Sequence, residues 1–150
     1  MKTVKSVIIL FFLGSIILFS CGGNSRESSE TIHGIEDLKT KQYAINGKVL
    51  YENLCANCHQ EDGRGLGNLI PPLAASDYML ADIGRTVRII KFGQEGEITV
   101  NGIRYNQPMP ANPQLTPPDI AEIATYIYNV WGNSEGLISA EDVRQYLREE

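Results

Sequence analysis

The chain has 150 residues, 43% of them hydrophobic, with 13 Lys and Arg against 18 Asp and Glu for a formal charge of −5 at neutral pH. That length suits one domain of ordinary size, and the acidic balance disfavours nucleic acid as a partner. Three Cys and two His are too few for a stapled, disulfide-rich scaffold.

The first residues carry Lys2 and Lys5, Val7 to Phe19 is almost wholly apolar, and Ser20-Cys21-Gly22-Gly23 follows at once. This is the layout of an export signal. Its thirteen apolar positions fall short of the about 20 needed to cross a bilayer as a helix, so residues 1–20 are expected to be cleaved. Leu18-Phe19-Ser20-Cys21 resembles a bacterial lipobox, in which the Cys thiol is acylated and becomes the first mature residue. The alternative is an ordinary signal that leaves Cys21 as a free thiol. Acyl chains on Cys21 would anchor the protein to a lipid bilayer without embedding it. Loss of Lys2 and Lys5 leaves 11 basic against 18 acidic side chains, a formal −7. The expected location is the bacterial cell envelope, on the periplasmic side of the inner or outer membrane.

Residues 21–41 read as an acylated N-terminus and a polar, flexible tether, with His33 as a solvated linker residue. The folded domain is expected over residues 42–150. Tyr43 to Asn57 predicts an amphipathic helix with Ile45, Val49 and Cys55 on one side and Tyr51 beside them. Gly47 permits close approach of another backbone. At its end stands Cys55-Ala56-Asn57-Cys58-His59, the pattern by which a c-type haem is covalently attached. Two thiols three residues apart on a helical turn can reach the two vinyl groups of one haem, and His59 then suits the proximal iron position. A zinc site or a thioredoxin-like redox pair is the competing use of Cys-x-x-Cys. Cysteine counting argues against zinc, because the other candidate ligands are Cys21 and His33. The absence of a strand-helix-strand pattern argues against the redox pair.

The Gly-rich run Gln60 to Gly67 must be loop. Pro71-Pro72-Leu73 follows, then a helix around Ser76 to Leu80 and another from about Ile83 to Phe92, with Ile83, Val87, Ile90 and Lys91 at helical spacing. Arg85 and Arg88 are within reach of haem propionates in sequence terms, but solvated roles on the outer face suit them better. Gly93 to Gln114 is rich in Gly, Asn and Pro and holds Pro108-Met109-Pro110. A thioether between two residues of fixed φ loses little entropy on binding, which makes Met109 the candidate sixth iron ligand. Met79, in Tyr78-Met79-Leu80, is the competitor and reads better as core filler.

Thr116-Pro117-Pro118-Asp119 starts a late helix, with Ile120, Ile123, Ala124, Ile127 and Tyr128 as its apolar stripe and Trp131-Gly132-Asn133 as its end. A short last helix from Ser139 to about Arg148 opens on a capping-box pattern, Ser139 to Asp142. Every element reads as helix, so the fold class is all-α.

From about Gln42 to Asn133 the chain resembles the class I, monohaem cytochromes c. The likeness rests on the Cys-x-x-Cys-His motif, the Gly47 to Tyr51 and Ile123 to Tyr126 spacings, Pro71 twelve places after His59, and a Met-Pro loop fifty places after it. It implies one covalently attached haem c enclosed by about four to five short helices and irregular loops. It further implies that the first and last helices cross at Gly47, that the Pro71 carbonyl accepts the His59 imidazole N–H, and that Met109 is the distal ligand. Ala44 to Gly47, Pro71 to Ala74 and Trp131 to Asn133 look most like the cytochrome domains that accompany bacterial copper nitrite reductases and membrane alcohol dehydrogenases. The function implied is single-electron transfer between membrane-associated redox partners, with a basic docking face expected on a partner of this acidic protein. The rival readings are a five-coordinate haem enzyme or gas sensor, and the dedicated electron-transfer subunit of one oxidoreductase.

Overall fold

The computed structural model describes residues 32–149. The signal segment, Cys21 and the first part of the expected tether lie outside the described residues. Helix α1 spans Leu38–Leu54 and is capped by Asp37, whose carboxylate accepts from the Thr40 backbone N–H at 2.7 Å. It begins upstream of the expected Tyr43, and Ile32 is already buried. Packing therefore starts within the segment expected to be tether, ahead of residue 42. The buried face of α1 is Thr40, Ala44, Gly47 and Tyr51. Ile45 and Val49, expected to face inward, are 45% and 55% exposed. The reason is a close crossing: a Cβ on Gly47 would stand 1.9 Å from the Glu122 carbonyl oxygen, so α1 turns Ala44, Gly47 and Tyr51 toward the core and leaves Ile45 and Val49 outside.

The segment that carries the site follows α1. Helix α2, Ala56–His59, follows α1 after the single residue Cys55. The His59 amide donates to Cys55 O at 2.9 Å, Gly65 N donates to His59 O at 3.0 Å, and Leu73 N reaches Gly63 O at 2.7 Å. These bonds fold the glycine loop back on the motif. Helix α3, Asp77–Leu80, is one turn capped by Ser76, and helix α4, Ile83–Phe92, is capped by Asp82. Gly84, Thr86, Val87 and Ile90 are its buried residues.

Next comes a feature absent from the all-helical expectation. Strands β1, Ile98–Val100, and β2, Ile103–Tyr105, form an antiparallel hairpin pairing Ile98 with Tyr105 and Val100 with Ile103. Asn101 and Gly102 have φ of 50° and 77°, the two positive values of the tight hairpin turn that Asn-Gly favours. Three-residue strands are too short for their alternation to stand out in sequence.

Helix α5, Pro117–Ile127, carries a complete capping box between Thr116 and Asp119, and helix α6, Ala140–Tyr146, carries another between Ser139 and Asp142. From Ile120 to Ile127 every residue of α5 except Glu122 is buried, so it is the axis on which α1, α4 and α6 pack. Tyr51, Tyr126 and Trp131 meet at the α1–α5 crossing with ring centroids 5.3 to 5.5 Å apart, a spacing at which tilted aromatic pairs attract. The C-terminal segment is bound in by Thr125, whose hydroxyl donates to Ile138 O and accepts from Ile138 N, each at 3.1 Å. Among the described residues no helix is long and apolar enough to cross a membrane.

Candidate functional site

One large apolar cavity opens between α1, the Ile70 to Leu73 segment, α4, α5 and the hairpin. Cys55, Cys58, His59, Pro71, Met79 and Met109 all line it. No Lys, Arg, Asp or Glu is among its lining residues, so the walls suit a flat apolar group rather than an ion. Cys55 is half-buried and Cys58 exposed, which puts the two Cys of the motif at the rim.

His59 is 8% exposed, and its Nδ1 lies 3.1 Å from the Pro71 carbonyl oxygen. A carbonyl can only accept, so Nδ1 donates and Nε2 keeps its lone pair. Burial lowers the imidazole pKa, with the Pro71 bond pulling the other way; the neutral form, the one that ligates a metal, is favoured. Burial pushes the Cys55 thiol up to about 11, with Cys58 adding to the rise. Tyr51, which also lines the cavity, is driven well above the usual phenol range by burial first and by Cys55 next. Its hydroxyl donates to Gln60 O at 2.6 Å, tying α1 to the residue just after His59.

Met109 sits at the foot of the Pro-rich loop, where its backbone N–H and C=O pair with those of Gln94 at 2.9 Å each. A Cβ on Gly93, whose φ is 82°, would meet Met109 O at 2.6 Å, so glycine is required for this approach. Met79 is 3% exposed and belongs to the core cluster as well as to the cavity wall. Arg85 and Arg88 do not line the cavity. The Arg85 guanidinium lies over the Tyr78 ring, 3.8 Å from its centroid, and donates to Tyr78 O, while Arg88 donates to Tyr146 O at 3.2 Å. His33 is exposed and does not line the cavity. Sequence reasoning missed Ile98, Val100 and Tyr105, which supply cavity wall from the hairpin; the Asn101-Gly102 turn between apolar residues was the signal for them.

A sequence model of the family described as Cytochrome c matches residues 44–131, from the buried face of α1 to the aromatic cluster. The chain belongs to the cytochrome c family. Cytochrome c-552 of Thermus thermophilus is 31% identical over 109 residues, covering 67% of this chain and 82% of that protein. The fructose dehydrogenase cytochrome subunit of Gluconobacter japonicus is 28% identical over 126 residues, 81% of this chain but 24% of the subunit. Cytochrome c-551 of Bacillus subtilis is 33% identical over 66 residues, 44% of this chain and 56% of that protein.

A cytochrome c carries covalently bound haem c, and the residues present fit it. Two Cys at the rim, a neutral imidazole and the thioethers of Met79 and Met109 are donors that such a group could use, and the cavity that joins them is apolar. The cofactor supplies a one-electron iron couple. The protein is an electron-transfer haem protein. Cys55 and Cys58 would hold the group, the Pro71 carbonyl fixes the His59 ring that would face it, and the apolar walls would keep water from it.

Proposed function

We propose that His59 and Met109 are the two axial ligands, and that this cytochrome c is a lipid-anchored carrier of single electrons on the periplasmic side of the bacterial envelope. The observation that supports the ligand pair is that both residues line one cavity with His59 held by Pro71 and Met109 held by Gln94. Imidazole and thioether together favour ferrous iron and leave no vacant position for a substrate. One electron arrives from a donor and one leaves to an acceptor, with the ligands in place throughout.

Acylation of Cys21 would confine that exchange to a membrane surface, and the acidic balance of the mature chain, −7 without residues 1–20, favours partners with a basic docking face. A second reading has support from the relatives: the Gluconobacter japonicus protein is a dehydrogenase cytochrome subunit, as is one of Gluconobacter oxydans from a quinone alcohol dehydrogenase. A stable complex recovered with one oxidoreductase would favour that assignment over a free shuttle.

The deciding experiment is the visible spectrum of the purified protein, oxidised and reduced, with and without carbon monoxide. A low-spin spectrum with a sulfur-to-iron charge-transfer band and no response to carbon monoxide is expected. Ready binding of carbon monoxide would sink the carrier reading and point to catalysis or gas sensing. Met109→Ala should remove the band and lower the reduction potential, whereas Met79→Ala should keep both; the reverse result would assign the ligand to Met79.

A further inference from the structure

Between Gln94 and Met109 the chain leaves the end of α4 and returns to it. Two backbone hydrogen bonds of 2.9 Å between these residues close the base of the excursion, and the β1–β2 hairpin is its body. Ile98, Val100 and Tyr105 of the hairpin line the same cavity as His59. Val100 and Tyr105 are 1% and 4% exposed, yet neither belongs to the apolar cluster built around α1 and α5. What they cover is the cavity. The excursion is therefore a flap that carries Met109 at its foot and forms cavity wall along its length. A lone hairpin of three-residue strands is marginal in water, so its position depends on what holds the tip.

The tip is tied to the first turn of α3. Asp77 N donates to Asn101 Oδ1 at 3.0 Å, Asn101 N donates to Asp77 Oδ1 at 2.7 Å, and Asn101 Nδ2 donates to Ala75 O at 3.2 Å. Ala75 has a φ of 50°, a left-handed conformation that a non-glycine residue keeps only where its surroundings enforce it. Asn101 meets two demands at once. It tolerates the positive φ of the turn, and its side chain reaches both backbone groups beside α3.

We propose that Asn101 is a positioning residue: paired with Asp77 it latches the flap, and so governs the access of small external ligands to the iron side of the cavity. The inference rests on the His59–Met109 reading. With the latch closed, the hairpin stays against the cavity; with it broken, the flap pivots on its Gln94–Met109 base and loosens the thioether with it.

The test uses the haem-loaded protein and two readouts: the rate at which imidazole binds the ferric form, and hydrogen exchange of the amides of residues 98–105. Asn101→Gly suits the question, because glycine accepts the turn's φ without strain and only the side-chain bonds are lost. Imidazole binding about tenfold faster is expected at the ordinary worth of such bonds, with faster exchange in β1 and β2 and none in α1 or α5. Asp77→Ala should behave alike, Asp77→Asn should restore the parent rate because it keeps an acceptor oxygen, and the double variant should fall short of the sum of the singles. Faster hairpin exchange with an unchanged imidazole rate would overturn the proposal, as would Asp77→Asn behaving like Asp77→Ala. A parent protein with no sulfur-to-iron band fails the Met109 reading instead, and hydrogen exchange then still decides whether the latch exists.

Discussion

At Gly47 a side chain has no room, since a Cβ would lie 1.9 Å from Glu122 O and 2.9 Å from the Tyr126 Cβ. Both are groups of the α1–α5 crossing that cannot swing aside as a flexible side-chain tip would. Gly47→Ala should therefore destabilise the protein by about 1–3 kcal/mol through overpacking, read as a lower thermal midpoint with haem still attached. A variant as stable as the parent would show that the helices can slide apart at no cost. At His59 the sequence already named the residue and its motif. The partner of its Nδ1 was readable only through the resemblance, because Pro71 lies twelve places further along the chain and the path between them is set by backbone bonds such as Leu73 N to Gly63 O.

Helix ends were the most legible elements, and they make a pH prediction. At the start of α6 the Ser139 hydroxyl and backbone N–H both donate to the Asp142 carboxylate, at 2.7 and 2.8 Å, and these two bonds hold its pKa below the usual carboxylate range. A lowered folded pKa means stability that is present above the unfolded value of about 3.8 and is lost as pH falls through the folded one. Ser139→Ala should cost about 1 kcal/mol near neutral pH. The difference between parent and Asp142→Asn in urea unfolding should shrink on acidification; a difference constant down to pH 2 would contradict the cap's charge. Caps are local in sequence, which is why the Thr116 N-cap and the Ser139–Asp142 box were visible without a structure, while the return bond between Asp119 and Thr116 was not. Nor was the inner face of α1: Ile45 and Val49 match a helical apolar period, yet the crossing selected the face of Ala44 and Gly47, where the absence of a side chain at Gly47 lets the backbone approach Glu122 and Tyr126 of α5.

At the scale of the whole molecule, the proposed anchor and the acidic charge can each be tested. Cys21→Ser should release the protein from the membrane fraction, and a variant that stays there would remove the lipid anchor from the account. Electron exchange with a basic partner should slow as salt rises from about 10 to 150 mM, where the screening length falls from about 30 to 8 Å; a salt-independent rate would mean that docking is not electrostatic. By itself the sequence determined the cofactor class, its five-residue motif and the starts of α5 and α6, since each is written in neighbouring positions. The tertiary structure alone decided which face of α1 is inside, that a hairpin walls the cavity, and that Asn101 and Asp77 meet. Those depend on groups far apart along the chain being brought within bonding distance, and the energy that selects them, close packing at the α1–α5 crossing and polar satisfaction at the flap tip, exists only once the fold has formed.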